Sequence, residues 1–250
     1  INEISCGKLE ELQKNHKFQI YFKENNNELG RVIFNKILNV ELDLKLKENK
    51  NIDTLENVII QNCKPFNKGN IILLENGTKI NTKLLIVTEK NTSLINQKFN
   101  NNLVKKDLKQ TSLVIDVKSK TNNHAYQIFT KKGAIAYLPI NKNQASVIWS
   151  LDNSSAEIEY NKSDILKEVN KFYKGIIFCD EAINIQKYKL KFQYSKKTVL
   201  QSIVLIGDAA HSIHPIAGQG LNLSIKDILE LKKQIDKFNY LGYSLGNSTS

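Results

Sequence analysis

The sequence is poor in cysteine and arginine, and each scarcity excludes a class of site or partner. The three cysteines, Cys6, Cys63 and Cys179, lie far apart and form no CxxC pair. This spacing argues against a zinc site or a disulfide framework and favours reduced thiols. Arg31 is the only arginine. Because proteins that read nucleic acid rely on arginine for phosphate and guanine contacts, we expect no nucleic-acid partner.

Two further absences concern the start of the chain and the membrane. The sequence has no methionine and begins with Ile1, so we expect a fragment, a processed product or a broken reading frame. No stretch approaches the roughly 20 apolar residues that a membrane-spanning helix needs, and the N-terminus lacks the apolar run of a secretory signal. These absences predict a cytoplasmic protein, with peripheral contact at the inner face of a membrane as an additional option.

Lysine supplies most of the positive charge, which gives a formal net charge of +11. One interpretation is an anionic partner, either a lipid surface or nucleic acid. The other is codon usage, because Lys, Asn and Ile are abundant throughout and the lysines are scattered. We favour codon usage and keep weak attraction to anionic lipid as a side effect.

The apolar pattern predicts an α/β protein with an antiparallel sheet in the middle of the chain. Strand-length runs separated by turn residues occur at 112–117, 126–130, 135–139 and 145–151. Further strands are expected at 18–23, 58–63, 84–88 and 203–206, and helices at 31–47, 163–173 and 219–238. The pair Asn76-Gly77 between two apolar runs predicts a hairpin in which both turn residues have positive φ.

One segment, residues 204–231, carries a recognisable chemical pattern. A buried strand leads into Gly207, where the missing side chain lets a ligand approach the backbone. Asp208 then stands at the carboxyl end of that strand, where open α/β sheets bind ligands. Its carboxylate can accept hydrogen bonds from a chain of hydroxyl groups. A proline and two glycines shape the following loop, and the helix after it presents N–H groups that stabilise an anion.

The same segment resembles the GDAAH…P…GQGxN…D motif of the class A flavoprotein monooxygenases, the superfamily of para-hydroxybenzoate hydroxylase. The matching positions are Gly207-Asp208-Ala209-Ala210-His211, Pro215, Gly218-Gln219-Gly220-Leu221-Asn222 and Asp227. A second stretch, residues 125–150, resembles the substrate-domain sheet of ubiquinone-biosynthesis hydroxylases such as the 2-polyprenyl-6-methoxyphenol hydroxylase. The resemblance extends loosely from about Gly30 to the C-terminus.

The resemblance implies FAD as the cofactor and assigns residues to it. Gly207 would allow close approach, Asp208 would bind the ribityl chain, and Pro215 would lie beside the flavin ring. The pyrimidine edge of the ring would be lined by Gly218, Gln219, Gly220, Leu221 and Asn222. NAD(P)H would reduce the flavin, and O₂ would supply an oxygen atom to a polyprenylated phenol in ubiquinone biosynthesis, beside other proteins of that process. The sequence assigns no catalytic side chain.

The resemblance also implies an incomplete Rossmann-like FAD-binding domain with an inserted antiparallel substrate domain. The expected bounds are 1–108 and 201–250 for the FAD-binding domain and 109–200 for the substrate domain. No GxGxxG motif, which holds the ADP half of FAD, occurs in the sequence. The chain also stops before the family's C-terminal helices. At the family's Asp-Gly pair the sequence reads Glu89-Lys90, and the lysine would crowd a close ligand approach.

These departures leave two alternatives to an active enzyme. One is an inactive remnant or split-gene fragment of a monooxygenase. The other is a basic module that contacts lipid or nucleic acid, which only the net charge favours.

Several side chains have plainer explanations than a role in the site. His211 and His214 have the spacing of a metal pair, but no third ligand is evident, and we expect no metal. Asp227 is expected to be structural, within its own helix turn. Three aromatic side chains either line a substrate pocket or fill the core, and alternation along the strands favours the core: Phe129, Tyr137 and Trp149.

Overall fold

The computed structural model shows an α/β chain that divides into two compact units. It describes residues 1–8, 20–23, 28–90, 92–120, 123–130, 133–153, 161–214 and 218–245. One unit combines residues 1–52 with 109–190 and is called here the sheet unit. The other combines residues 53–108 with 191–250 and is called the mixed unit.

The described elements are mainly strands. In chain order they are β1 (Glu3–Gly7), β2 (Ile20–Lys23), β3 (Ile60–Phe66), β4 (Gly69–Leu74), β5 (Lys79–Thr82), β6 (Leu85–Val87), β7 (Leu103–Lys118), β8 (His124–Thr130), β9 (Gly133–Asn141), β10 (Gln144–Asp152), β11 (Glu181–Ser195), β12 (Val199–Leu200), β13 (Ile203–Leu205) and β14 (His211–Ser212). The α-helices are α1 (Asn35–Glu48), α2 (Ser93–Phe99), α3 (Lys162–Phe172) and α4 (Gln219–Tyr240). Short 3₁₀ turns lie at Asn100–Asn102 and Gly207–Ala209.

The sheet unit contains strands in the order β11-β7-β10-β9-β8-β1-β2. The predicted antiparallel meander is confirmed, with Trp149 of β10 opposite Leu113 of β7 and Ile135 of β9. Strand β1 was not predicted, and it pairs with β8 in parallel, with Ser5 opposite Tyr126. Of the predicted strand at 18–23, residues 20–23 form β2, and residues 18 and 19 lie outside the described residues.

One face of this sheet carries a continuous apolar core. Alternate residues of β9 are buried, as expected for a strand with one face packed against other elements. Helix α3 contributes Ile165 and Val169 to the same core. The ring of Trp149 meets that of Phe172 edge-on at a centroid distance of 5.3 Å. Tyr137 and Trp149 are therefore core residues, as expected, whereas Phe129 is 47% exposed.

The mixed unit contains two small sheets and a separate core. Strands β3, β4 and β5 form an antiparallel sheet, and β12, β13 and β6 form another in which β13 and β6 run parallel. The hydrophobic core of the mixed unit includes the buried face of α2 and contains the following residues: Cys63, Ile72, Leu74, Val87, Leu94, Ile95, Phe99, Ile203, Leu205, Ala209 and Ala210.

The hairpin between β4 and β5 forms as predicted, but its turn differs. Gly77 has φ +83°, whereas Asn76 is not among the residues with positive φ. The Leu74 N–H donates to the Thr78 carbonyl at 2.9 Å, and the Gly77 N–H donates to the Leu74 carbonyl at 3.0 Å. The loop therefore has three residues, and such loops need a left-handed conformation only at the last of them. The prediction of positive φ at Asn76 was wrong.

Helix α1 forms close to its predicted position but buries none of its residues. Ile37, Leu42 and Leu44 are more than half exposed, and Val40 and Leu46 are 49% and 41% exposed. Within the described ranges, no helix combines the length and apolar character needed to cross a membrane. The three cysteines are free thiols.

The contacts of the first residues differ from the expected division of the chain. That division placed residues 1–108 together, whereas residues 1–52 belong to the sheet unit. The reason is the pairing of β1 with β8, a long-range contact that no local pattern in the sequence reveals. The assignment of the two units to flavin and substrate stays a prediction.

Candidate functional site

The site is built where two parallel strands of the mixed unit end. Val87 closes β6 and pairs with Leu205, the last residue of β13. The backbone pairing continues beyond both strands, because the Ile206 N–H donates to the Val87 carbonyl at 3.0 Å and the Ala209 N–H to the Thr88 carbonyl at 3.1 Å. The residues that follow both strands therefore lie together, at the edge where open α/β sheets bind ligands.

Gly207 begins the tight turn after β13 in a conformation that favours glycine. Its φ is +57°, and a Cβ built there would lie 3.1 Å from the Ser224 Oγ of helix α4. Ser224 is held in place by donating to the Gly220 carbonyl at 3.1 Å. A side chain at residue 207 would thus be strained in its backbone and crowded by the helix.

Asp227 connects helix α4 to this turn. Its Oδ2 accepts a hydrogen bond from the Gly207 N–H at 2.8 Å and contacts His211 Nε2 at 2.8 Å. Because an ionised carboxylate only accepts hydrogen bonds, Nε2 of His211 carries the proton in this contact. Asp227 is structural, as expected, but the expectation that it acts within its own helix turn was wrong. Its partners lie on the preceding turn and strand, which sequence spacing along the helix does not show.

A cavity of about 600 Å³ opens at the ends of the two strands. Its volume falls within the ordinary range for small-molecule sites. Among the residues that the structure describes, these line it: Thr88, Glu89, Lys90, Ile206, Gly207, Asp208, Ser224 and Ile228. Gly207 and Asp208 were predicted as binding residues, and Ser224 and Ile228 were not. Their spacing of four along a helix that follows the motif is the signal that could have found them.

The other predicted binding residues that the structure describes lie at the start of helix α4 and are not among the described lining residues. Gly218 is the N-cap of the helix, with φ +61°, and an added Cβ would meet no atom within 4 Å. Gln219, Gly220, Leu221 and Asn222 form the first turn of α4. Pro215 lies outside the described residues. The roles of this whole group toward a ligand stay predictions.

Lys90 is the one Lys or Arg among the described residues that line the cavity. Its Nζ donates to the Ser212 Oγ at 3.1 Å and lies 3.9 Å from the Asp208 Oδ2. The Lys90 side chain is 37% exposed and that of Asp208 is 60% exposed. An ion pair so open to water contributes about 1 kcal/mol or less to stability, so both side chains can exchange their contact for one with a ligand.

The histidines of the motif have separate environments. His211 is tied to Asp227, whereas burial lowers the pKa of His214 below its ordinary value. Within the described residues, no group of three or more His, Cys, Asp or Glu side chains could hold a metal ion.

The sequence of the chain matches a known family and several named proteins. The family model described as FAD binding domain matches residues 79–238, more than half of the chain. The ubiquinone biosynthesis monooxygenase COQ6 of Dictyostelium discoideum is 23% identical over 280 residues, which cover 90% of this chain and 57% of that protein. The 3-demethoxyubiquinol 3-hydroxylase of Escherichia coli is 29% identical over 161 residues, which cover 62% of this chain and 41% of that enzyme. The chain spans about half the length of the curated relatives it matches.

Solved structures show the same fold. PqsL, a probable FAD-dependent monooxygenase from Pseudomonas aeruginosa, superposes with a TM-score of 0.74 at 14% identity, covering 98% of this chain and 70% of that chain. The flavin-dependent halogenase CmlS superposes with a TM-score of 0.63 at 16% identity, covering 81% of this chain and 40% of that chain. Identities this low establish likeness of fold alone.

Proposed function

The chain belongs to the FAD binding domain family, and from that membership we propose that it acts in an FAD-dependent monooxygenase that hydroxylates a polyprenylated phenol in ubiquinone biosynthesis. One observation carries the proposal. The cavity at the ends of β6 and β13 has Gly207 and Asp208 of the flavin motif in its wall. The relatives named for ubiquinone biosynthesis support the substrate class.

The residues around the cavity suit the ribityl and phosphate part of a flavin nucleotide. Asp208 offers an exposed carboxylate to hydroxyl groups, and the side chains of Thr88 and Ser224 add hydroxyls that both donate and accept. Gly207 adds no side chain to the wall, so a ligand can approach its backbone. We assign the backbone of residues 218–222 to the pyrimidine edge of the flavin and Pro215 to its ring, on the resemblance.

The protein's part in the reaction is to hold and orient. FAD, reduced by NAD(P)H, would supply the oxygen chemistry. Asp208 orients the cofactor through its ribityl hydroxyls. Asp227 fixes the Gly207 turn on which Asp208 is mounted. Ile206 and Ile228 provide apolar wall that displaces water from the cavity. The sheet unit is assigned to the phenol, and peripheral membrane contact would deliver such a lipid-soluble substrate.

A second candidate is a flavin-binding protein without hydroxylase activity. One feature of the sequence favours it: Lys90 stands where the family has a glycine. Both candidates require the flavin site, and they differ in turnover. The alternative of a basic lipid- or nucleic-acid-binding module has only the net charge of +11 in its favour.

Titration of the purified chain with FAD, followed by flavin fluorescence, tests the site. We expect saturable binding that Asp208→Asn weakens about tenfold or more, since a charge-assisted hydrogen bond is lost. Asp236→Asn is the matched control, because Asp236 lies on the same unit but pairs with Lys232 on the surface of α4. Equal loss in both variants, or no binding to the wild-type chain, would contradict the proposed site.

Turnover then separates the two candidates. The FAD-loaded chain is supplied with NADH or NADPH, O₂ and a short-chain prenylated phenol, and the products are analysed by mass spectrometry. A product heavier by one oxygen atom supports the monooxygenase. Flavin binding without oxygenated product favours the second candidate.

A further inference from the structure

We propose that Lys90 is a cofactor-recognition residue whose ammonium binds the phosphate of a flavin nucleotide and thereby selects phosphorylated flavins over riboflavin. The inference deepens the proposed function and rests on it. It starts from the charge of the cavity wall. In the described part of the wall the ionisable residues are Glu89, Lys90 and Asp208, and two of these three side chains are acidic.

A flavin nucleotide brings further negative charge into this wall. Without a cation, its phosphate would face two carboxylates in a partly enclosed space, where like charges repel more strongly than in bulk water. Lys90 is the cation that the described wall provides. It would convert an unfavourable contact into a charge-assisted hydrogen bond.

The position of the Lys90 ammonium fits this role. Nζ lies 3.9 Å from the Asp208 Oδ2, beyond hydrogen-bond distance but close enough for both groups to contact one small ligand. In a flavin nucleotide the phosphate ester directly follows the hydroxyl-bearing carbons of the ribityl chain. A ligand whose hydroxyls bind Asp208 therefore brings its phosphate near Lys90.

The contacts of Lys90 leave it capacity to bind. An ammonium group has three donors, and one of them is directed at the Ser212 Oγ at 3.1 Å. Ser212 lies on β14, and its hydroxyl holds the Lys90 ammonium at the edge of the cavity. Since the side chain is 37% exposed, a ligand phosphate can reach it without displacing packed residues.

The test compares flavins that differ in phosphate content. FAD, FMN and riboflavin are titrated against the wild-type chain, Lys90→Met and Lys90→Arg. Methionine keeps an unbranched stem and removes the charge, whereas arginine keeps the charge. Lys79→Met is the matched control, because Lys79 lies exposed on β5 of the same unit and outside the cavity wall.

We expect Lys90→Met to weaken FAD and FMN about tenfold or more and to leave riboflavin within about twofold of wild type, a change too small to reflect a lost hydrogen bond. Lys90→Arg should restore most of the nucleotide affinity, and Lys79→Met should change none. Equal weakening of all three flavins, or unchanged binding of all three, overturns the role of Lys90 while the flavin site stands. Absence of any flavin binding to the wild-type chain overturns the site and this inference together.

Discussion

In the sheet unit the largest fully buried side chains are aromatic, among them Trp149 and Tyr137, and strands of nine residues carry them. In the mixed unit the two strands that meet at the cavity have three residues each. The carboxylate of Asp227, on helix α4, accepts a hydrogen bond from the Gly207 N–H and so holds the turn that follows β13. Apolar packing thus fixes the core of the sheet unit, whereas hydrogen bonds fix the backbone turn that lines the cavity of the mixed unit.

The largest expected effect tests the packing half of this comparison. Trp149→Ala removes a side chain that is 2% exposed and should lower the free energy of unfolding by about 3–5 kcal/mol. Phe129→Ala, at a position 47% exposed on strand β8 of the same sheet, should cost far less. Urea unfolding followed by far-UV circular dichroism measures both. Similar losses in the two variants would mean that the aromatic core is not what stabilises the sheet unit.

The second largest expected effect tests the role of the Asp227 hydrogen bonds in the mixed unit. Asp227→Ala leaves the Gly207 N–H and His211 Nε2 without their shared acceptor. The expected cost is about 1–3 kcal/mol of unfolding free energy, together with weaker flavin binding because the turn carrying Asp208 loses its support. Asp236→Ala on the same helix removes only a surface ion pair and serves as the control. If Asp227→Ala leaves the flavin affinity unchanged, the Asp227 hydrogen bonds to the turn are not needed for flavin binding.

A matched pair of glycines sharpens the description of the turn. Gly207→Ala and Gly218→Ala both place a side chain at positive φ, but only the former meets a neighbour, Ser224 Oγ at 3.1 Å. Backbone strain should cost each variant about 1–2 kcal/mol, and Gly207→Ala should cost more by the clash. Adding Ser224→Ala should recover that difference for Gly207→Ala and none for Gly218→Ala. Thermal unfolding of the four proteins measures it, and a Ser224→Ala effect equal in both backgrounds would contradict the close approach.

The smallest effect concerns pH and returns to the sheet unit. Burial lowers the pKa of His124 below its ordinary value, and the Glu3 carboxylate offsets this only in part. A base whose pKa is lowered by folding is protonated first in the unfolded chain. Its contribution to stability is therefore complete above the unfolded pKa near 6.5 and is lost as pH falls toward the folded value.

Stability should accordingly decline from pH 7 toward pH 5, and His124→Asn should reduce that slope. His214 of the mixed unit, whose pKa burial also lowers, contributes to the same decline, so His214→Asn is the comparison. Melting temperatures across this range give both slopes. A slope in His124→Asn identical to wild type would show that burial of this ring has no linkage to folding.

The sequence anticipates those parts of the fold whose pattern is local. The meander of β7 to β10 contains strand-length apolar runs separated by turn residues, and helix α3 has one apolar face that includes the buried residues Ile165 and Val169. The glycine-rich motif likewise names Gly207 and Asp208, which the structure brings to the cavity wall. Local periodicity and turn chemistry are sufficient for these features.

Other features depend on distant pairing and escape such patterns. Strand β11 is an exception, because it was not predicted although apolar and polar residues alternate along it from Tyr188 to Tyr194. Strand β1 is held by its parallel pairing to β8, which no neighbouring residue specifies. The hydrogen-bond partners of Asp227 are set by how helix α4 packs on the turn. The sequence motif identifies Asp227 but does not show which groups its carboxylate contacts.

The carboxylate of Asp227 also bears on the order in which the mixed unit assembles. Gly207 and Asp227 are 20 residues apart in the chain, whereas Lys90 and Ser212 are 122 apart. Closing the shorter loop costs less chain entropy, and contacts of short range form earlier in folding. We expect the turn and helix α4 to organise first, and the cavity to exist only once the distant segment of β6 arrives. The ligand site would then be among the last features of the chain to form and among the first to open.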